Sequence, residues 1–107
     1  MTNRVLSLLG IARRAGRLSL GHDAVDEALK KREAKLIVLA QDVSARTATH
    51  AQKAAQQAEV PCLVLADGMD EIGMAIGKKI GVIAVNDQGF AKRLTELANE
   101  AADKREG

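Results

Sequence analysis

Apolar positions recur along this chain in two rhythms that take turns. Val5, Leu8, Leu9 and Ala12 fall at the i, i+3, i+4, i+7 spacing of one helical face, which predicts a helix over Asn3–Arg14 with Thr2 or Asn3 as its cap. Gly16 supplies the stop, and Arg17–Leu20 alternates briefly like a short strand before Gly21 turns the chain. Ala24, Val25, Ala28 and Leu29 then mark a helix over His22–Arg32, with Asp26 and Glu27 placed four residues ahead of Lys30 and Lys31.

Leu36–Ala40 breaks the rhythm, because its apolar run has no alternation and is bounded by charge. Such a run predicts a strand covered on both faces. The same alternation of element types continues. Ser44–Ala58 is rich in helix formers behind Asp42 or Ser44, and Val60-Pro61 leads into a strand over Cys62–Leu65. Met69–Ile76 predicts a short helix capped by Asp67 or Gly68, Gly81–Val85 a second buried strand, and Gln88–Ala102 the last helix. The expected fold is α/β, a three-layer α-β-α sandwich around a central mixed sheet of about four strands. Residues 1–102 form one domain in this reading, and the charged tail 103–107 is expected to fray.

Composition narrows the classes. No apolar run approaches the roughly 20 residues that a membrane-spanning helix needs. Val5–Ala12 behind Arg4 imitates a signal peptide, but Ser7 and Gly10 interrupt it and Arg13-Arg14 stands where small residues should be cleaved. With the single cysteine Cys62, the reading is a protein of the reducing cytoplasm. The net charge is only +2, yet residues 1–35 carry eight Lys and Arg against four Asp and Glu. That asymmetry favours a polyanion-facing region.

Catalytic and cofactor chemistry finds little support. Gly73–Lys79 mimics a phosphate loop, but its glycines are one residue too close and Lys79 replaces the hydroxyl that binds magnesium, so no nucleotide cofactor is expected. Gly77 is better read as a helix stop with Lys78 and Lys79 near the negative end. His22 and His50 lack partners at ligand spacing, and Cys62 sits in an apolar strand where its thiolate is disfavoured. No nucleophile, base and orienter can be assembled, so no enzyme, metal or cofactor is expected. With Phe90 as the one aromatic, single-strand RNA readout by stacking is excluded too.

Several blocks in order, Leu8–Gly16, Gly21, Ala34–Asp42, Val60-Pro61, Ile72–Gly77 and Val85–Ala91, closely resemble the bacterial YlxQ-type branch of the ribosomal protein L7Ae family across residues 3 to about 98. The resemblance implies a non-catalytic protein that binds structured RNA, ribosomal RNA above all, with ribosomal or ribosome-assembly proteins as further partners. Kink-turn binders of that family carry Gly, a small polar residue, Asn, Glu and a later Lys at the second helix. Gly21, His22, Asp23, Ala24 and Glu27 occupy those positions here, which implies altered recognition. The family's second contact, the loop after a helix-ending glycine, corresponds to Lys78, Lys79, Ile80 and Gly81.

The expected interface therefore combines Arg13, Arg14, Arg17, Lys30, Lys31, Lys78 and Lys79 on phosphates with Gly21 for close backbone approach. His22 and Asp23 face base edges, and Ile80 provides an apolar cover. The rival reading is a protein-interaction module that docks a partner on the Ala-rich helix Ser44–Ala58 or on the basic edge.

Overall fold

The two unbroken apolar runs lie side by side as the middle strands of a four-stranded sheet. A computed structural model describes residues 3–106, with side chains through Glu100. In chain order the elements are α1 (Arg4–Arg14), β1 (Leu18–Leu20), α2 (His22–Lys30), β2 (Leu36–Leu39), α3 (Ala45–Gln57), β3 (Cys62–Val64), α4 (Met69–Ile76), β4 (Val82–Val85) and α5 (Gln88–Glu106). The strand order is β1-β4-β2-β3. The β4 strand runs antiparallel to both β1 and β2, whereas β3 is parallel to β2, so the sheet is mixed as expected.

Period-two geometry explains why β2 and β4 show no polar alternation. Leu36, Val38, Ile83 and Val85 point to one face and pack with Val5 and Leu9 of α1, Ile72 and Ile76 of α4, and Leu94 and Leu97 of α5. Ile37, Leu39, Val82 and Ala84 point the other way, to Val25, Ala28 and Leu29 of α2 and Ala51 and Ala55 of α3. Each face has its own core, and both cores exclude water. Three layers result.

Helix ends follow local chemistry. The Asn3 side chain accepts from the Leu6 N–H at 3.1 Å, and Ser44 Oγ accepts from the Thr47 N–H at 3.1 Å. At α4 the cap is shared: the Gly68 N–H donates to Glu71 Oε2 at 2.8 Å, while the Met69 N–H donates to Asp42 Oδ1 at 2.9 Å. Asp42 thus caps α4 across the chain rather than α3.

Among the boundaries that differ from expectation, three have a local physical reason. Arg17 lies outside β1, although its carbonyl accepts from the Asn86 N–H at 2.8 Å. The α2 helix stops at Lys30 because Arg32 turns into the left-handed region, at φ 61. The last helix, expected to end at Ala102, continues through Glu106, since Ala, Lys, Arg and Glu are good helix formers and no breaker intervenes. Gly107 lies outside the described residues.

The register gives the sheet two chemically distinct ends. At one, the Gly21 N–H bonds the Val82 carbonyl at 3.0 Å and the Ala40 N–H bonds the Gly81 carbonyl at 2.9 Å. At the other, the Lys35 N–H bonds the Val85 carbonyl at 2.8 Å, with Arg17 and Asn86 beside it. The first is a glycine end, the second a cation end.

Candidate functional site

The glycine end is built where β1 turns directly into α2. Gly21 has φ 91, a conformation that a side chain would strain, and it caps α2 without any side chain. A Cβ at Gly21 would stand 3.4 Å from Ile80 Cδ1, so the turn and the Ile80 loop touch across the chain. The first amides of α2 are left without intrahelical acceptors at this point, as at any helix start.

The second wall is the return from α4 to β4. Gly77 ends α4 in the left-handed region at φ 84, with its N–H on the Gly73 carbonyl at 2.8 Å. Lys78–Gly81 then folds back along the helix so closely that a Cβ on Gly73 would sit 3.1 Å from the Lys79 Cα. Lys79 Nζ meets Asp70 Oδ1 at 3.2 Å, both side chains being exposed. A Cβ on Gly81 would run into Val43 and Met69, so this glycine keeps the base of the loop flush with its neighbours.

The start of α3 closes the groove. Val43, Ser44 and Thr47 line it together with Gly21, His22, Met69, Lys79 and Ile80. Its floor is apolar, from Val43, Met69 and Ile80. Hydroxyls of Ser44 and Thr47, 3.1 Å apart, stand on one rim and the Lys79 ammonium on another. Such a surface accepts a flat group with apolar faces and polar edges that is attached to an anion.

A family model, ribosomal protein L7Ae/L30e/S12e/Gadd45, matches residues 3–95. The chain belongs to this family. It is 34% identical over 94 residues to the RNA-binding protein YlxQ of Enterococcus faecium, covering 88% of this chain and 90% of that one. Identity to the RNA-binding protein YlxQ of Bacillus subtilis is 36% over 91 residues, covering 84% and 90%. A solved structure from Bacillus halodurans, of a protein with unknown function, matches with a TM-score of 0.86 and 31% identity over 92% of this chain and 99% of that chain.

Within this family member, the residues singled out from sequence do not form one edge. Gly21, His22, Lys79 and Ile80 share the groove, Asp23 follows His22 on the exposed first turn of α2, and Lys78 precedes Lys79 on the exposed return. Arg13 and Arg14 line a different groove, between α1 and α4, beside Met74 and Ala75. Arg17, Lys30 and Lys31 belong to the cation end. The α2 axis alone, at 1.5 Å per residue over nine residues, separates its two ends by about 13 Å.

Glu27, at the position where the family's kink-turn binders carry lysine, lies outside the groove's lining, and its carboxylate is 2.9 Å from Lys31 Nζ. The hydrogen bond from Lys31, then its charge, holds the Glu27 carboxyl below its ordinary value and raises Lys31 in turn. Cys62 is half-buried, and that burial pushes its thiol up, away from nucleophilic use.

Val43, Ser44, Thr47 and Met69 are groove residues that the sequence reading passed over. Ser44 was legible only as a helix cap. A cap places its residue at a helix mouth, and this one opens on the Gly21 turn. His22 and His50 are also neighbours, with ring centroids 6.4 Å apart and His50 Nε2 3.5 Å from Asp26 Oδ2. Among the described residues no group of three or more His, Cys, Asp and Glu is placed to hold a metal ion, and no helix is long and apolar enough to cross a membrane.

Proposed function

We propose that this protein binds structured RNA at the glycine end of its sheet, without chemical turnover, and that ribosomal RNA in the cytoplasm is its ligand. The observation that carries the reading is the contact between the Gly21 turn and Ile80, at 3.4 Å for a Cβ on the glycine. It joins the two segments of chain that the family resemblance assigns to RNA. An unstacked base lies over Ile80, Val43 and Met69, while Lys78, Lys79 and the first amides of α2 hold its phosphates. His22, Asp23 and Ser44 are in position along the rim to read base edges; Asp23 accepts hydrogen bonds from amino groups where the kink-turn binders have Asn.

With Asp23, Ala24 and Glu27 in place of Asn, Glu and Lys, the preferred RNA is a bent or bulged element other than a standard kink-turn. Ribosomal or ribosome-assembly proteins join on the same RNA. The apolar face of α3 is not open to a protein partner, since Ala51 and Ala55 pack on the sheet at 4% and 1% exposure.

Binding isotherms test this directly. A panel of ribosomal RNA fragments with an extruded nucleotide, a standard kink-turn and a fully paired duplex is titrated at fixed salt. The expected result is at least a tenfold preference for one extruded-base RNA over the duplex, abolished by Ile80→Glu. Equal affinity across the panel, unaffected by that substitution, overturns the reading.

A further inference from the structure

Several basic residues that the groove does not use gather at the cation end. Five of them, Arg17, Lys30, Arg32, Lys35 and Lys92, make no ion pair among the described residues. The register puts Arg17 and Lys35 on either side of Val85-Asn86, bonded to Asn86 and Val85 respectively at 2.8 Å. Their backbones are two strand spacings apart, about 10 Å. Arg32 and Lys35 line one groove at this end with Gln57 and Gln88, and Lys92 of α5 lines a neighbouring groove with Lys35.

Helix-end compensation explains only part of this cluster. Lys30 sits in the last turn of α2, where a cation offsets the macrodipole. Arg17 and Lys35 belong to no helix, and Lys92 lies in the second turn of α5, too far from its C-terminus to gain from the dipole. Arg32 occupies the left-handed region at φ 61, where glycine or asparagine would relieve strain, so the chain holds a cation at a conformational cost. The carboxylates nearby are mostly engaged. Glu27 is held by Lys31, Asp26 lies 3.5 Å from His50, and Glu96, in the groove of Lys35 and Lys92, pairs with Arg93 at 3.5 Å. That leaves Glu59 in the Arg32 groove and Glu33 on the connecting turn.

We infer that the cation end is a second nucleic-acid surface, one that takes the phosphate backbone of a paired RNA segment and lets a single molecule bridge two RNA elements. The surface offers cations and the side-chain amides of Gln57 and Gln88 around Val60 and Pro61, with no glycine turn to admit a base, which suits contact with the phosphate backbone. It takes its ligand class from the RNA-binding reading above, yet it uses none of the groove residues. The segment 1–35 thus divides its work: Gly21 and His22 serve shape at one end, and Arg17, Lys30, Arg32 and Lys35 serve charge at the other.

The test uses the full chain, a biotinylated extruded-base RNA on beads and a fluorescent, fully paired RNA duplex. The wild-type protein is expected to carry the duplex onto the loaded beads. The variant Arg17→Gln/Arg32→Asn/Lys35→Gln, all at exposed positions, should lose at least tenfold in duplex affinity, lower the salt slope by about three, and stay within twofold for the bead-bound RNA. Ile80→Glu should do the reverse, sparing the duplex. Duplex affinity within twofold of wild type for the triple variant, or duplex binding lost with Ile80→Glu, overturns the second surface. An unchanged bead-bound RNA affinity in Ile80→Glu counts against the groove reading alone.

Discussion

The two ends of the sheet solve opposite problems with the same strands. At the glycine end, Gly21 and Gly81 leave out side chains so that backbone and apolar surfaces can approach, Gly77 supplies a left-handed turn, and Lys79 is already engaged by Asp70 at 3.2 Å. At the cation end, side chains are kept even where glycine would be more comfortable, as at Arg32 with φ 61. Shape without much charge gives selectivity; charge without shape gives reach and salt sensitivity. The net charge of +2 conceals both.

The most severe way to break the comparison is to remove what the ends share. Ile83 of β4 is 0% exposed and pairs with Leu20 and Val38, which makes it common to both. Ile83→Ala should cost about 2–5 kcal/mol of unfolding free energy, seen as a lower denaturant midpoint, with both RNA affinities falling together at 37 °C. Loss at only one end would show that the ends fold independently.

Next in size is Gly21→Ala. At φ 91 and ψ 167 the Gly21 backbone lies in a region that costs a non-glycine residue about 1–3 kcal/mol, and the added methyl meets Ile80 Cδ1 at 3.4 Å. Stability should fall by about that amount. The extruded-base RNA should be lost disproportionately, and duplex binding at the cation end should persist in the folded fraction. If the ratio of the two affinities does not change, the Gly21 turn is structural only.

These contrasts were unevenly legible in the sequence. The strands β2 and β4 announced themselves because a residue run buried on two faces cannot alternate, and Asn3 and Ser44 were readable as caps from their position before periodic segments. The β1 boundary was not, since Arg17 continues the alternation of Leu18–Leu20 while its carbonyl bonds Asn86 beyond the ladder. The site divided in the same way. Gly21 and Ile80 could be singled out, but their contact depends on β1 and β4 being neighbours, a pairing that no local pattern encodes. Arg13, Arg14, Arg17, Lys30 and Lys31 looked contiguous along the chain because α1 and α2 were counted by sequence, whereas α2 carries its lysines away from Gly21. Asp42 and Ser44 are equally placed in the sequence to cap the following helix, and only the fold shows that Ser44 does so while Asp42 accepts from the Met69 N–H on α4.

That shared cap sharpens the comparison at a lower energy. Asp42→Ala removes the acceptor of the Met69 N–H at 2.9 Å and should cost about 1 kcal/mol. Because Met69 lines the groove floor, extruded-base RNA should weaken by a few fold with no change for the duplex. Glu71, which accepts from the Gly68 N–H at 2.8 Å, keeps α4 from unravelling. Hydrogen exchange at the Met69 and Asp70 amides should rise first.

The smallest effect concerns the ion pair that borders the cation end. Lys31 holds the Glu27 carboxyl below its ordinary value of 4.5, so the pair adds stability that is present above about pH 4.5 and lost as the pH falls through the lowered value. Lys31 is raised above 10.5 by the same contact, so its share is complete below about pH 10.5 and lost only beyond the raised value. Stability curves of wild type and Glu27→Gln should therefore run parallel between pH 5 and pH 10, close together because the pair is fully exposed, and converge in acid. The same substitution removes a carboxylate beside Lys30 and frees Lys31, which should tighten duplex binding severalfold at pH 7 and leave the extruded-base RNA untouched. Tightening at both ends would mean that the two surfaces are one electrostatic field, and the division between shape and charge would fall.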